Sequence, residues 1–407
     1  MKNKQHVRLT FLCTAVYFIS YLSRINLAAV MVDLVHSGFT ARQTAALALT
    51  LSSIAYGTGQ ILSGWLGDRF KPQNIILAGF LLTSAMNLSV SMLESARLLP
   101  VLWAINGLAH ACMWPPLVAI MARHLDQDAY SRACVWVNWG SAFATIAIYL
   151  GSPLLIRWGS FQAVFACSGF AALAMAVLWK LLFTLWFEGA ATVEAVIGTP
   201  EETPKAEAFT RNALVLMGLM MVAIVLQGAL RDGVTNWMPT FVCESFGLDS
   251  SSAIMTGVLL PVFQILCSQA AAWLLRKFNS QEALTSGAIF AAGTVAAVLL
   301  ALVVQHSVAL SALFMAGLAG CMHGVNFVLI GMVPRQFRRF GRVGLVSGVL
   351  NSCTYLGSAL STYGVAVLSL SLGWGGTIAI WIGLALAGAV ICLAICKKWG
   401  SFRRNDA

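Results

Sequence analysis

Residues 283–304 read ALTSGAIFAAGTVAAVLLALVV, twenty-two residues in a row without a charge. A helix that crosses the hydrocarbon core of a bilayer needs about 20 predominantly apolar residues, and this stretch meets that length. Working outward, comparable runs lie at 9–31, 43–66, 74–93, 98–121, 132–155, 161–186, 212–238, 251–275, 308–332, 343–368 and 373–396. Together they predict an all-α membrane protein with twelve transmembrane helices. Of the 407 residues, 59% are hydrophobic and 10% are charged, against about 25% charged in an ordinary soluble domain. One soluble core cannot hide that much apolar surface, so the balance excludes a water-soluble enzyme.

The longest polar stretch, 187–211, falls between the sixth and seventh runs and contains Glu188, Glu194, Glu201, Glu202 and Glu207. It predicts a six-helix bundle over 1–186, a cytoplasmic linker over 187–211 and a second six-helix bundle over 212–407. With the N-terminus inside, twenty Lys and Arg residues fall in inner loops and tails, against Arg42, Arg97 and Arg157 outside. The positive-inside rule therefore places both termini in the cytoplasm. The net charge of +10 sits between apolar runs, not on a soluble face, so nucleic acid is not an expected partner. The lipid bilayer is. The ten cysteines show no metal-ligand spacing, and no metal, cofactor or disulfide is expected. The polar start, Met1 to Arg8, and the many runs after Leu9 speak against a cleavable signal peptide.

The halves repeat weakly. Trp65-Leu66-Gly67-Asp68-Arg69-Phe70 after the second run corresponds to Trp273-Leu274-Leu275-Arg276-Lys277-Phe278 after the eighth, at an offset of 208. Two arginines remain inside predicted spans. Arg24 is late in the first and Arg231 late in the seventh, at an offset of 207. A charge at the centre of a membrane helix costs at least ~3 kcal/mol, so each needs a cavity, a partner or a ligand. Two guanidinium groups at equivalent places suit an organic anion, because the planar fork matches a phosphate or carboxylate with paired hydrogen bonds. The alternative is that each snorkels to the outer interface or pairs locally.

Asp232 adjoins Arg231, but neighbours on a helix point about 100° apart, so a simple ion pair does not follow. Asp232 is read as a proton-coupling carboxylate, a group that positions Arg231, or an outer-end residue in water. Tyr17 and Tyr21 share the Arg24 face by helical spacing. Gln60, His110, Asn138, His323 and Asn351 are polar within spans, and a lone intramembrane His or Asn is commonly a hydrogen bonder between helices.

Five stretches resemble the organophosphate:phosphate antiporters of the major facilitator superfamily. They are Tyr21-Leu22-Ser23-Arg24-Ile25-Asn26; Tyr56-Gly57 with Gly64-Trp65-Leu66-Gly67-Asp68-Arg69; Asn106-Gly107 with Trp114-Pro115-Pro116 and Val135-Trp136; Leu230-Arg231-Asp232-Gly233 through Asn236-Trp237-Met238-Pro239-Thr240; and Gly348 through Tyr355-Leu356-Gly357. The resemblance implies two pseudo-symmetric bundles and transport by alternating access. It implies that Arg24 and Arg231 bind the phosphate group, lined by Tyr21, Tyr17 and Tyr355. Gln60, Trp136, Asn138, Asp232 and His323 are further candidate binding residues, and Asp68 and Arg69 candidate gating residues. The sequence departs from well-known members. Gln60 stands where they have a lysine, and Ile25 where a lysine is frequent. Gly140 or Ser141 stands where the fifth helix has a histidine, and Asp232 where an aromatic residue is common.

The expected function is secondary transport of a small phosphorylated or other organic anion, in exchange for inorganic phosphate, by a monomer in a bacterial inner membrane. Proton-coupled symport of an organic carboxylate is the competing class, and a membrane sensor of a sugar phosphate is a third. No nucleophile, paired-carboxylate or metal constellation suggests an enzyme.

Overall fold

The computed structural model describes residues 2–188, 209–247, 256, 259–304 and 306–404. Among the described residues there is no strand. The chain divides into two compact units, one of Met1–Glu207 with Phe337–Val349, the other of Ala208–Gln336 with Leu350–Ala407. Most of the expected linker, 189–208, lies outside the described residues, as does most of 248–258 in and before the eighth span.

In the first unit, α1 spans Lys2–Ala29, α2 Arg42–Arg69, α3 Pro72–Ser91, α4 Leu99–Ala111, α5 Trp114–His124, α6 Gln127–Trp158 and α7 Phe161–Phe183. Helix α1 packs on α6, α2 on α4, and α3 on α7. The expected span at 98–121 is found as one stretch long enough to cross a membrane, Ala96–His124, with a break inside it that separates α4 from α5. Pro115 and Pro116 fall in the first turn of α5. Proline lacks the N–H a continuous helix needs there but suits a helix start.

The second unit contains α8 Arg211–Phe246, α9 Leu259–Lys277, α10 Glu282–Val303, α11 Val308–Asn326 and most of α12, Val343–Arg404. Gly373, at φ 67°, breaks α12 into the eleventh and twelfth spans. Helix α11 packs against α8, α9 and α10, and a π-helical turn, Phe327–Met332, follows it. Eleven helices among the described residues are long and apolar enough to cross a membrane. The 28-residue α2, at the place of the expected second span, has the length but is not one of the eleven, and the chain is a multi-pass membrane protein.

The repeat has a structural counterpart in each unit. Arg69 lies 4.2 Å over the Trp65 ring, and Lys277 lies 5.0 Å over the Trp273 ring. In both cases a cation one helical turn after a tryptophan covers its face.

Candidate functional site

Helix α1 presents Tyr17, Tyr21 and Arg24 together. The tyrosine rings are 5.0 Å apart, and Tyr17 is 5.3 Å from Trp114 at the start of α5. The Arg24 guanidinium lies 5.5 Å from the Tyr21 ring and 3.8 Å over that of Tyr56 on α2. Stacking engages the flat face of the guanidinium and directs its N–H groups along the ring plane. Gln60, one turn beyond Tyr56, is 0% exposed. The Trp114 indole N–H is buried with no acceptor among the described residues. Tyr56 and Trp114 were not among the expected site residues, although both fall in the stretches that carry the resemblance.

A buried polar network braces the turn before Arg24. Asn106 and Asn87 donate to the Ser23 carbonyl at 3.1 and 3.2 Å. Asn26 donates to Asn87 at 2.7 Å, and Thr83 to Asn106 at 2.5 Å. His110 joins Ser20 and Thr83, each at 3.1 Å, which is the helix-to-helix role expected of a lone histidine. Such networks are stable only when fully satisfied. Asn106→Leu would remove one of the two donors to the Ser23 carbonyl and the amide acceptor of the Thr83 hydroxyl, at a cost of about 0.5–1.5 kcal/mol for each lost bond. We expect a clearly lower thermal unfolding midpoint in detergent, and an unchanged midpoint would contradict the bracing role.

In the second unit, Arg231 and Asp232 do form an ion pair, correcting the expectation from helical geometry. Arg231 Nε donates to Asp232 Oδ1 at 2.6 Å and Nη2 donates to Oδ2 at 2.8 Å. The long arginine stem folds back far enough to close this fork between neighbours, and both side chains are largely buried. Ser358 also hydrogen-bonds Asp232, and His323 is within electrostatic reach of both charges. One turn earlier, Gln227 donates to the Met322 carbonyl at 3.0 Å and accepts from the Thr354 hydroxyl at 3.5 Å. This ties α8 to α11 and α12 beside His323 and Tyr355. Helix α8 approaches closely because Gly228 has no side chain; a Cβ there would meet the Thr354 carbonyl oxygen at 2.2 Å.

Trp136 and Asn138 stand on α6, which packs on α1. Trp136 is 52% exposed, and its ring contact is with Trp139 at 5.3 Å. Asn138 is half-buried, and its carbonyl accepts from Ser141 at 2.7 Å. Asp68 accepts from the backbone N–H groups of Gly344 and Leu345 at 2.8 and 2.7 Å. These are the second and third residues of α12, so Asp68 caps a helix start 276 positions away in sequence. Close approach here needs glycine, since a Cβ on Gly64 would meet the Gly344 oxygen at 2.2 Å. Arg69 is exposed beyond its contact with Trp65.

Residues 13–362 match the Major Facilitator Superfamily. The chain belongs to that superfamily. It is 25% identical over 300 residues to the glycerol-3-phosphate transporter of Bacillus subtilis, covering 69% of this chain and 67% of the relative. It is 21% identical to the membrane sensor protein UhpC of Escherichia coli, covering 96% and 91%. A probable sulfoacetate transporter, SauU of Cupriavidus necator, is 30% identical over 60% of this chain and 59% of its own. The resemblance to organophosphate:phosphate antiporters read from the motifs agrees with these relatives. The fold matches that of the proton:xylose symporter XylE at a TM-score of 0.71 and 13% identity, covering 98% of this chain and 96% of that one. The chain is therefore a transporter of the major facilitator type.

Proposed function

We propose that this transporter moves a small phosphorylated or other organic anion by alternating access, in exchange for inorganic phosphate, across a bacterial inner membrane with both termini in the cytoplasm. The first six-helix bundle, 1–186, and the second, 212–407, each supply one arginine, Arg24 and Arg231. The observation that carries the reading is the pair of half-sites. One intramembrane arginine is stacked on tyrosines and the other is held in a carboxylate fork, at repeat-equivalent positions. Arg24 is set against the aromatic rings of Tyr21 and Tyr56. Arg231 is neutralised by Asp232 until a ligand competes for its fork. Tyr17, Tyr21 and the Trp114 N–H offer neutral donors beside Arg24. His323 and Tyr355 flank Arg231, and Gln60 supplies a polar wall without charge.

With the Arg231 fork engaged by Asp232, the reading favours an anion of low charge. Named relatives for glycerol 3-phosphate and sulfoacetate support a tetrahedral anionic headgroup. The test is counterflow into proteoliposomes loaded with phosphate, using a labelled panel of phosphomonoesters, phosphodiesters, sulfonates and carboxylates. Phosphate-dependent uptake of one panel member supports the reading. Carboxylate uptake that ignores internal phosphate and follows a proton gradient would replace it with the symport reading, which the Asp232 carboxylate beside Arg231 favours.

Asp68 and Arg69 serve as a gate in this scheme. Asp68→Asn places an amide where two backbone N–H groups need acceptors, so one is left unsatisfied. We expect turnover to change severalfold while equilibrium ligand binding stays within twofold, about 0.4 kcal/mol. Equal losses in both measurements would argue against a gating role.

A further inference from the structure

The first unit carries an open pocket of about 420 Å³ where α2, α3, α5 and α7 end or begin. Arg69, Lys71, Arg123 and His124 line its polar side, with Phe183 and Phe187 on the apolar side. Its one carboxylate, Asp68, is committed to the Gly344 and Leu345 N–H groups. Among the described residues, none of the three cations has a carboxylate within ion-pair distance. The first turn of α3 opens at the same place, with no side chain capping it.

The second unit offers an internal comparison. Helix α10 starts after the repeated Trp-to-Phe stretch, as α3 does, but its first residue is Glu282, which is 0% exposed. That carboxylate accepts from Trp399 Nε1 at 2.8 Å and Gln336 at 2.6 Å, and lies 3.7 Å from Arg403. Arg403 also donates to the Asn279 and Ser280 carbonyls. In the first unit the corresponding indole, Trp179, donates to the Gln73 carbonyl at 2.9 Å. Four residues after it stands Phe183, where the second unit has Arg403. One half thus fills the mouth of its helix with its own carboxylate and cation. The other gathers cations around an open space, where the carboxylate among the described residues, Asp68, accepts from backbone N–H groups.

We propose that the cavity beside α3 binds a phosphate-bearing anion that takes the place Glu282 holds in the second half. Arg123, Lys71 and Arg69 meet the anionic oxygens, and Phe183 and Phe187 receive an apolar portion. A lipid phosphodiester headgroup and a soluble phosphate share this chemistry. The test compares full-length wild type with Gln73→Glu and Lys71→Glu. Gln73→Glu is nearly isosteric and sits in a first helical turn, where a carboxylate is favourable, so the fold is retained. One arm follows phosphatidylglycerol held by the protein from phosphatidylcholine nanodiscs, read by native mass spectrometry. The other follows thermal stabilisation by inorganic phosphate in neutral detergent. A loss of about tenfold in both variants, the scale of one charge-assisted hydrogen bond, assigns a lipid if it occurs in the first arm and a soluble ligand if in the second. Phosphate binding at the transport arginines is common to all three proteins and cancels. Wild-type behaviour of both variants in both arms overturns the proposal.

Discussion

Arg24→Lys is expected to reduce phosphate-dependent counterflow by on the order of 100-fold, with Arg231→Lys close behind. Lysine keeps the charge, so net electrostatics is not what is lost. What is lost at Arg24 is the planar group that stacks 3.8 Å over Tyr56 and offers a fork to the anion. A desolvated cation–π contact contributes about 2 kcal/mol, and a charge-assisted hydrogen bond about 1.5–3 kcal/mol. A lysine recovers part of each, leaving a deficit of roughly 3 kcal/mol, or two orders of magnitude. Arg231→Lys breaks a fork with two bonds to Asp232 and leaves one ammonium to serve both that carboxylate and the ligand. Initial rates in proteoliposomes, normalised to inserted protein, provide the check. Rates within threefold of wild type for both variants would remove the arginines from the site.

Asp232→Asn is expected to act in the opposite direction on doubly charged ligands. The substitution is nearly isosteric but removes the carboxylate that neutralises Arg231. The combined charge of the two half-sites rises by one, and the Arg231 fork is released to the ligand. Affinity for a phosphomonoester dianion is expected to rise about tenfold, the return for one additional charge-assisted bond near 1.4 kcal/mol. Singly charged ligands should gain less, so the ratio between the two classes is the sensitive readout. Competition for labelled uptake by phosphate at fixed pH measures it. An unchanged ratio would mean that Asp232 does not stand between Arg231 and the ligand. If wild-type uptake follows an imposed proton gradient and the variant's does not, Asp232 belongs to proton coupling and the exchange reading falls. Protein yield must be followed in parallel, because an arginine deprived of a buried partner lowers stability.

Much of the architecture was legible before any coordinates. The run at 283–304 became α10, and ten more runs became spans, because membrane insertion responds to hydropathy summed over one local window. The break between α4 and α5 escaped that window: Trp114-Pro115-Pro116 is apolar enough to continue a span, and only proline's missing N–H interrupts it. The site was legible to the extent that it rests on cost. Arg24 and Arg231 stood out because a charge in hydrocarbon needs a reason wherever its partner lies. Tyr17 and Tyr21 followed from helical spacing along the same chain segment.

The partners were not legible, since partnership depends on which helix faces meet. Tyr56 is 32 positions from Arg24 in sequence, and nothing in its local surroundings distinguishes it from a packing tyrosine. Asp232 lay beside Arg231 in plain view, but its geometry depends on how the arginine stem folds, a rotamer choice made by the surrounding α11 and α12 side chains. Trp136, chosen by motif, packs on Trp139 at an exposed position because its direction is set by the rotation of α6. Hydropathy and repetition along the chain were enough to read a multi-span membrane protein in two repeated halves, with an arginine in each that cannot be idle. Packing was needed to show that one arginine rests on aromatic rings while the other is closed by a carboxylate, that Asp68 reaches a helix start 276 residues away, and that Glu282 fills the mouth of α10. Hydropathy is a local sum that any reader of the chain can take, whereas hydrogen bonds and ring contacts are short-ranged and form only where packing brings distant segments within a few ångströms.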